Sequence, residues 1–229
     1  MQVMQQEEHA LKLLETSIAF YDKNADAYLQ KALLLNRMKR FREAGDACDR
    51  LLELEPENFW GYVNRMEAFL ALKERQGVID DFYRAKKIFA AYPPLYEMTA
   101  EVFDSSGQFE DVLDIIKQAE HENISTPKLS LFRLRARSRQ AKTRGEAEKI
   151  LDDAAALLAG MEESRENAKI RGEIYAEAAR VQNNLGDGKA ALAYINRALA
   201  QDDRPFFKWM KGSLSLIHIS EPTRLQLIS

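Results

Sequence analysis

The stretch YLQKALLLNRMKRFREAGDACDRLLELEPEN, residues 28–58, holds two apolar stripes separated by a short basic break and closed by Pro56. Tyr28, Ala32 and Leu35 fall at helical spacing in the first run, as do Ala44, Cys48 and Leu51 in the second. Working outward, small or β-branched residues recur at Ala10, Ala44, Val78 and Val112, each 34 positions after the last. Core-sized residues follow them at Leu14, Cys48, Phe82 and Ile116, and then Ser17, Leu51, Ala85 and Ala119 complete the stripe, Leu51 being the one large residue of that set. Upstream, Tyr28, Tyr62 and Tyr96 keep the same period, as do Leu35, Phe69 and Phe103. The repeating unit is therefore two amphipathic helices. Polar or Gly-containing breaks at 38–42, 73–77 and 105–108 permit a tight turn between them. Pro56 and Pro93-Pro94 punctuate the exits, because proline cannot continue a helix interior.

Composition agrees. Of 229 residues, 46% are hydrophobic and 30% charged, with only ten Gly and six Pro, and Ala, Leu, Glu, Lys and Arg dominate, a helix-favouring bias in a chain able to bury a core. The net charge of −3 supplies no global field toward nucleic acid or an anionic membrane. No apolar run reaches the roughly 20 residues that span a bilayer, and the acidic start does not read as a secretory signal, so a cytoplasmic location is expected. Cys48, the single cysteine, has no disulfide or zinc partner in the sequence and reads as a small core residue.

These periodic residues resemble the tetratricopeptide repeat (TPR) family, helix–turn–helix units of 34 residues built on small, aromatic and Pro positions. Residues 25–58 carry the best match, and NNLGDGKAALAYINRAL at 183–199 the most family-like run. The resemblance implies an all-α, right-handed superhelical solenoid of antiparallel helix pairs. Its units would be 25–58, 59–92, 93–126 and 172–205, preceded by a lone second helix in 1–24 and followed by the start of another unit in 206–213. Residues 127–171 depart from the pattern, since Ala147 to Ala191 is 44 residues; the roughly ten extra are expected near 160–167, with a lengthened helix beginning near Ser164. Leu214–Arg224, LSLIHISEPTR, resembles the conceptual translation of a transposase-type sequencing-library adapter, and Ile228-Ser229 its constant continuation. Residues 214–229 are therefore expected to be foreign to the fold, with the natural chain continuing differently beyond about Gly212.

No chemistry is expected. His9 and His121 lack any metal-ligand spacing, and Gly186-Asp187-Gly188-Lys189 lacks the strand and Ser/Thr of a phosphate-binding loop. No serine stands in a nucleophile elbow and no cofactor motif is present. Arg133, Arg135, Arg137, Arg139, Lys142 and Arg144 place six bases in twelve residues, but without interleaved aromatics they read as a salt-bridged face rather than a nucleic-acid site, with acidic neighbours expected among Glu110, Asp111, Asp114, Glu120 and Glu122.

The resemblance implies instead a protein or peptide partner held by the first helix of each unit. Carried over by register, the groove positions are Leu29, Leu33, Asn36 and Arg37, then Trp60, Val63, Glu67 and Leu70, then Glu97, Glu101 and Asp104. The family's Lys-Asn carboxylate clamp is absent at the fifth and ninth positions, which read Leu-Leu, Val-Glu and Glu-Glu. Four carboxylates beside apolar residues favour a basic segment with an apolar anchor. An interaction scaffold is the leading expectation. A regulatory or localisation arm of a larger enzyme and a nucleic-acid-binding array are the alternatives.

Overall fold

The computed structural model describes the backbone of residues 2–225 and the side chains of residues 4–215. Twelve helices follow one another among the described residues: α1 (Gln2–Phe20), α2 (Ala25–Arg37), α3 (Phe41–Leu54), α4 (Phe59–Leu72), α5 (Arg75–Ile88), α6 (Pro93–Ser105), α7 (Phe109–His121), α8 (Pro127–Gln140), α9 (Arg144–Gly160), α10 (Arg165–Asn184), α11 (Gly188–Gln201) and α12 (Pro205–Leu225). Helices α2, α4, α6 and α8 begin 34 residues apart, and each start has a local cause. Asn24 and Asn58 cap α2 and α4 by accepting from Ala27 N (3.1 Å) and Gly61 N (2.9 Å), and Thr126 caps α8 through Leu129 N (3.2 Å). Tyr92 makes no side-chain cap, and Pro93 starts α6 instead, its missing N–H costing nothing at a first turn.

The turns inside the pairs repeat as well. Lys39, Lys73 and Gly107 occupy the left-handed region at φ +60°, +62° and +72°, again 34 residues apart. Only Gly107 adopts that conformation without a steric penalty; each lysine opposes a Cβ clash of about 1–2 kcal/mol. Burial then reports the apolar register. Ala44, Val78 and Val112 are fully buried, as are Cys48, Phe82, Leu51, Ala85 and Ala119, with Ile116 nearly so. Tyr96 and Leu35 are equally inaccessible, and Tyr28 and Tyr62 nearly so.

The chain forms two compact units, residues 1–106 with 115–124 and residues 107–114 with 125–229, so that α7 is divided between them. In the first unit α2 packs on α3, α3 on α4, α4 on α5 and α5 on α6, while α2, α4 and α6 also touch one another in turn. Leu11, Leu35, Ala44 and Cys48 knit α1 to the α2–α3 pair. A buried ion pair crosses this core. Arg65 on α4 donates twice to Asp81 on α5 (2.7 Å each) and once to Asp49 on α3 (2.6 Å), with Asp81 only 1% exposed.

In the second unit α8 packs on α9 and α10, α10 on α11, and α11 on α12. Helices α9 and α10 have 17 and 20 residues against 13 or 14 in the regular pairs of the first unit, and Ser164 caps α10 through Asn167 N (3.3 Å). The extra length is stitched down by Arg171, 3% exposed, whose guanidinium donates to Leu158 O (3.0 Å) and Met161 O (2.7 Å) at the end of α9. Carbonyls that a helix C-terminus leaves unpaired are thereby satisfied.

Helix α12 runs without a break through residue 214. Leu214 is 8% exposed and packs in the terminal cluster with Phe207 and Met210, being seven and four residues on from them along one helical stripe. The suspected foreign segment therefore contributes at least its first leucine to the terminal core. The side chains of residues 216–229, and all of residues 226–229, lie outside the described residues.

Candidate functional site

The sequence-derived groove residues all lie on α2, α4 and α6 of the first unit. On α2, Leu33 is 43% exposed, Leu29 and Asn36 are half-buried, and Arg37 is exposed but paired with Glu7 of α1 at 2.8 Å. On α4, Trp60 is 48% exposed, Glu67 reaches solvent, and Leu70 is half-buried. Val63 departs from the expectation: it is 3% exposed and belongs to the core, because α4 is contacted by α2, α3, α5 and α6 and has little face left over. Glu97, Glu101 and Asp104 on α6 are half-buried, and each is already engaged with other groups of the chain. Of the four carboxylates expected to draw a ligand, Glu67 is thus the most available.

Glu67 sits in an unusual setting. Burial by neighbouring atoms pushes its carboxyl up from the ordinary range, and Asn36 offers only a long 3.4 Å contact in compensation. The Asn36 amide nitrogen also donates to Asn64 O (2.8 Å), and its buried Oδ1 accepts no hydrogen bond among the described residues. Asn64 in turn donates back to Trp60 O at 2.8 Å. The polar line joining α2 to α4 therefore contains one unsatisfied acceptor and one desolvated acid.

At the end of the face where α4 and α6 begin, the aromatic rings converge. Phe59 lies 5.2 Å from Trp60, 5.4 Å from Phe89 and 5.4 Å from Tyr92, and Trp60 is 5.6 Å from Tyr92, mostly edge-to-face. Phe59 is buried, whereas Trp60 and Phe89 stay about half exposed. Burial, and then the charge of Glu67, raise the Tyr92 phenol. Phe89 and Tyr92 escaped the sequence reading because they occupy the α5–α6 connection, outside the helix positions carried over by register. The spacing of Phe89 and Tyr92 before Pro93 was the available signal.

The other sequence candidates resolve simply. Cys48 is fully buried, and burial pushes its thiol up to about 12, which removes it as a nucleophile. Gly186 makes the left-handed turn between α10 and α11 at φ +84°, and Asp187 caps α11 through Ala190 N (2.9 Å). The basic run on α8 finds acids in its own unit: Arg135 pairs with Glu173 at 2.6 Å, Arg137 with Asp153, and Arg139 with Glu177 at 3.7 Å.

No protein-family model matches the chain, and no curated protein sequence matches it. Solved structures do. YrrB, a TPR protein with an unusual peptide-binding site, superposes with TM-score 0.62 at 15% identity over 85% of this chain and 94% of that one. TTC0263, a thermophilic TPR protein of Thermus thermophilus, gives 0.59 at 19% over 84% and 99%. PilW, a widely conserved type IV pilus biogenesis factor, gives 0.63 at 13% over 90% and 94%. At such identities the likeness shows the fold alone, and that fold is the TPR helix-pair array.

Proposed function

We propose that the α2/α4/α6 face of the first unit is a docking surface for a partner polypeptide, and that the protein acts as an interaction scaffold without chemistry of its own. The observation that carries this reading is Trp60, about half exposed and packed edge-to-face on Phe59 and Tyr92, with the Glu67 carboxyl about two helical turns further along α4. Large exposed aromatics ordered by their neighbours lose little entropy on binding, and Trp is prominent among the residues that dominate interface energies. A stacked array of helix pairs offers such a face without any moving part. YrrB, of the same fold, is a TPR protein with a peptide-binding site, which supports the same use here.

The partner segment carries an apolar anchor for Trp60, Phe89 and Tyr92 and a Lys or Arg for Glu67. A cation restores to Glu67 the stabilisation that burial removes, while the anchor supplies affinity that screened charge cannot. Because the Glu67 pKa is raised, its charge is present above that value and lost as pH falls through it, so affinity falls on acidification. A peptide-array comparison of wild type with Trp60→Ala and Glu67→Gln tests this. Basic peptides with an aromatic or aliphatic anchor should bind wild type, weaken with salt, and lose roughly tenfold or more in Trp60→Ala. Retention of the same peptides by Trp60→Ala, or preference of wild type for acidic ones, would place the docking surface elsewhere.

A further inference from the structure

Between the C-terminal ends of α4 and α6 the first unit holds a cleft of about 360 Å3 that none of the contacts above explains. Its walls are Phe69, Leu70 and Val102, and its rim carries Lys73 and Arg75 on one side and Glu101 on the other. The volume is near the small end of the range for ligand pockets, about 300–1,000 Å3, and suits one or two side chains rather than a cofactor.

The apolar wall is held in place from two sides. The Arg65 guanidinium stands 5.8 Å from the Phe69 ring centroid, and the ring also packs on Gly77, where a Cβ would clash at 2.5 Å from Phe69 Cδ2. The cations are fixed at their roots. Lys73 is the left-handed cap of α4, its N–H donating to Leu70 O and Phe69 O, and Arg75 is the first residue of α5. Neither Lys73 nor Arg75 forms an ion pair among the described residues, whereas Glu101 already has a partner in the chain. The rim is thus net positive. A carboxylate entering a partly enclosed apolar cleft gains more from two such cations than it would on open surface.

We propose that this cleft is a subsite for an acidic side chain flanked by an aliphatic one, and that the first unit reads the order of charges along its partner. The inference rests on the docking reading above and adds a second contact at the far end of the same helix. It lies beyond Trp60 and Glu67 along α4: at about 1.5 Å of rise per residue, Glu67 is ~10 Å and the Leu70–Lys73 rim ~15–20 Å from Trp60. An extended segment covers ~3.3 Å per residue, so a basic residue three positions and an acidic one five positions from the anchor reach both. The recognised pattern is anchor, base, then aliphatic and acid.

The test uses two N-acetylated, C-amidated peptides of identical composition, Phe-Ala-Ala-Lys-Leu-Glu and Phe-Ala-Ala-Glu-Leu-Lys, and the same pair in the opposite chain direction. Affinities are measured calorimetrically on the full chain, wild type, Trp60→Ala and Lys73→Asn/Arg75→Gln, with each variant's folding checked by its Tm. Asparagine tolerates the left-handed turn, so the backbone is kept. In one chain direction wild type should favour the first order by about tenfold, with shifts in the amide signals of Val102 and Ser105. The cleft variant should cut that ratio several-fold, leaving the share that Glu67 contributes, while still binding both peptides. Trp60→Ala should weaken both. An order preference in wild type that Lys73→Asn/Arg75→Gln leaves unchanged, with both peptides weakened by Trp60→Ala, would overturn the cleft and leave the docking face standing. Failure of every peptide to bind, or binding indifferent to Trp60, would overturn both.

Discussion

Replacing Arg65 by methionine strands the Asp81 carboxylate in the core of the first unit. Asp81 is 1% exposed and takes two 2.7 Å hydrogen bonds from that one guanidinium. Burial already pushes its carboxyl up against the pull of Arg65. Arg84, 3.7 Å away and more than half exposed, compensates only weakly, so without Arg65 the cheapest folded state at neutral pH is the protonated acid. Taking a group of unfolded pKa about 3.9 to the neutral form at pH 7 costs ~1.4 kcal/mol per unit over about three units, or ~4 kcal/mol, within the ~3–5 kcal/mol range for broken buried pairs. The folded pKa then lies above the unfolded one, so the deficit is greatest at neutral pH and shrinks as pH falls toward about 4. At pH 4.5 the same reasoning leaves ~1 kcal/mol. Urea denaturation of wild type and Arg65→Met at both pH values measures it, with Arg65→Met/Asp81→Leu expected to recover most of the loss, since an apolar pair of similar size often substitutes without penalty. A deficit below ~1 kcal/mol at pH 7, or one that does not change with pH, would refute the uncompensated-charge argument.

Lys39→Gly and Lys73→Gly should each raise stability by up to about 1 kcal/mol, less the added unfolded-state entropy, while Gly107→Ala should lower it by about 1–2 kcal/mol; opposite signs in thermal melts would contradict the left-handed turns. Ala44→Arg should cost about 3 kcal/mol or more, because Ala44 is fully buried, whereas Glu43→Arg loses only its exposed contact with Arg40 and about 1 kcal/mol at most; similar Tm changes for the two would mean the register is wrong. Truncation after Ser215 should leave the terminal cluster intact, whereas truncation after Gly212 removes Leu214 and should cost about 1.5–3 kcal/mol of its unfolding free energy, read from the urea midpoint.

The apolar register was legible because each repeat solves the same packing problem: Ala44, Val78 and Val112 are small or branched where helices approach closely, and all three are fully buried. Exposure on the groove face was less legible. Leu33 and Trp60 remain half exposed while Val63 is taken up by the core, a difference set by how near α2 and α6 come to α4 rather than by anything in the period. Two pairings of the α8 arginines were hidden for a similar reason, since Arg135–Glu173 and Arg139–Glu177 each span 38 residues and cross the irregular unit, whose lengthened helices shift the register. Lys73 and Arg75 looked like ordinary turn residues. Only the cleft behind them gives them a direction.

The placement of the capping residues bears on how such a chain can change over generations. Asn24, Asn58 and Thr126 stand immediately before helix pairs, so a segment cut just ahead of one of them and just ahead of the next cap position carries its own helix start. Duplication, deletion or exchange by recombination at those joints keeps each capped helix start intact and disturbs the seams on either side, where Arg65 meets Asp49 and Asn36 meets Asn64. The irregular unit is different. Its Arg171 serves the carbonyls of the preceding helix α9, so a crossover between α9 and α10 would separate donor from acceptors and leave a buried guanidinium without those partners. The regular units carry their own helix starts, whereas 144–184 must be inherited as one piece.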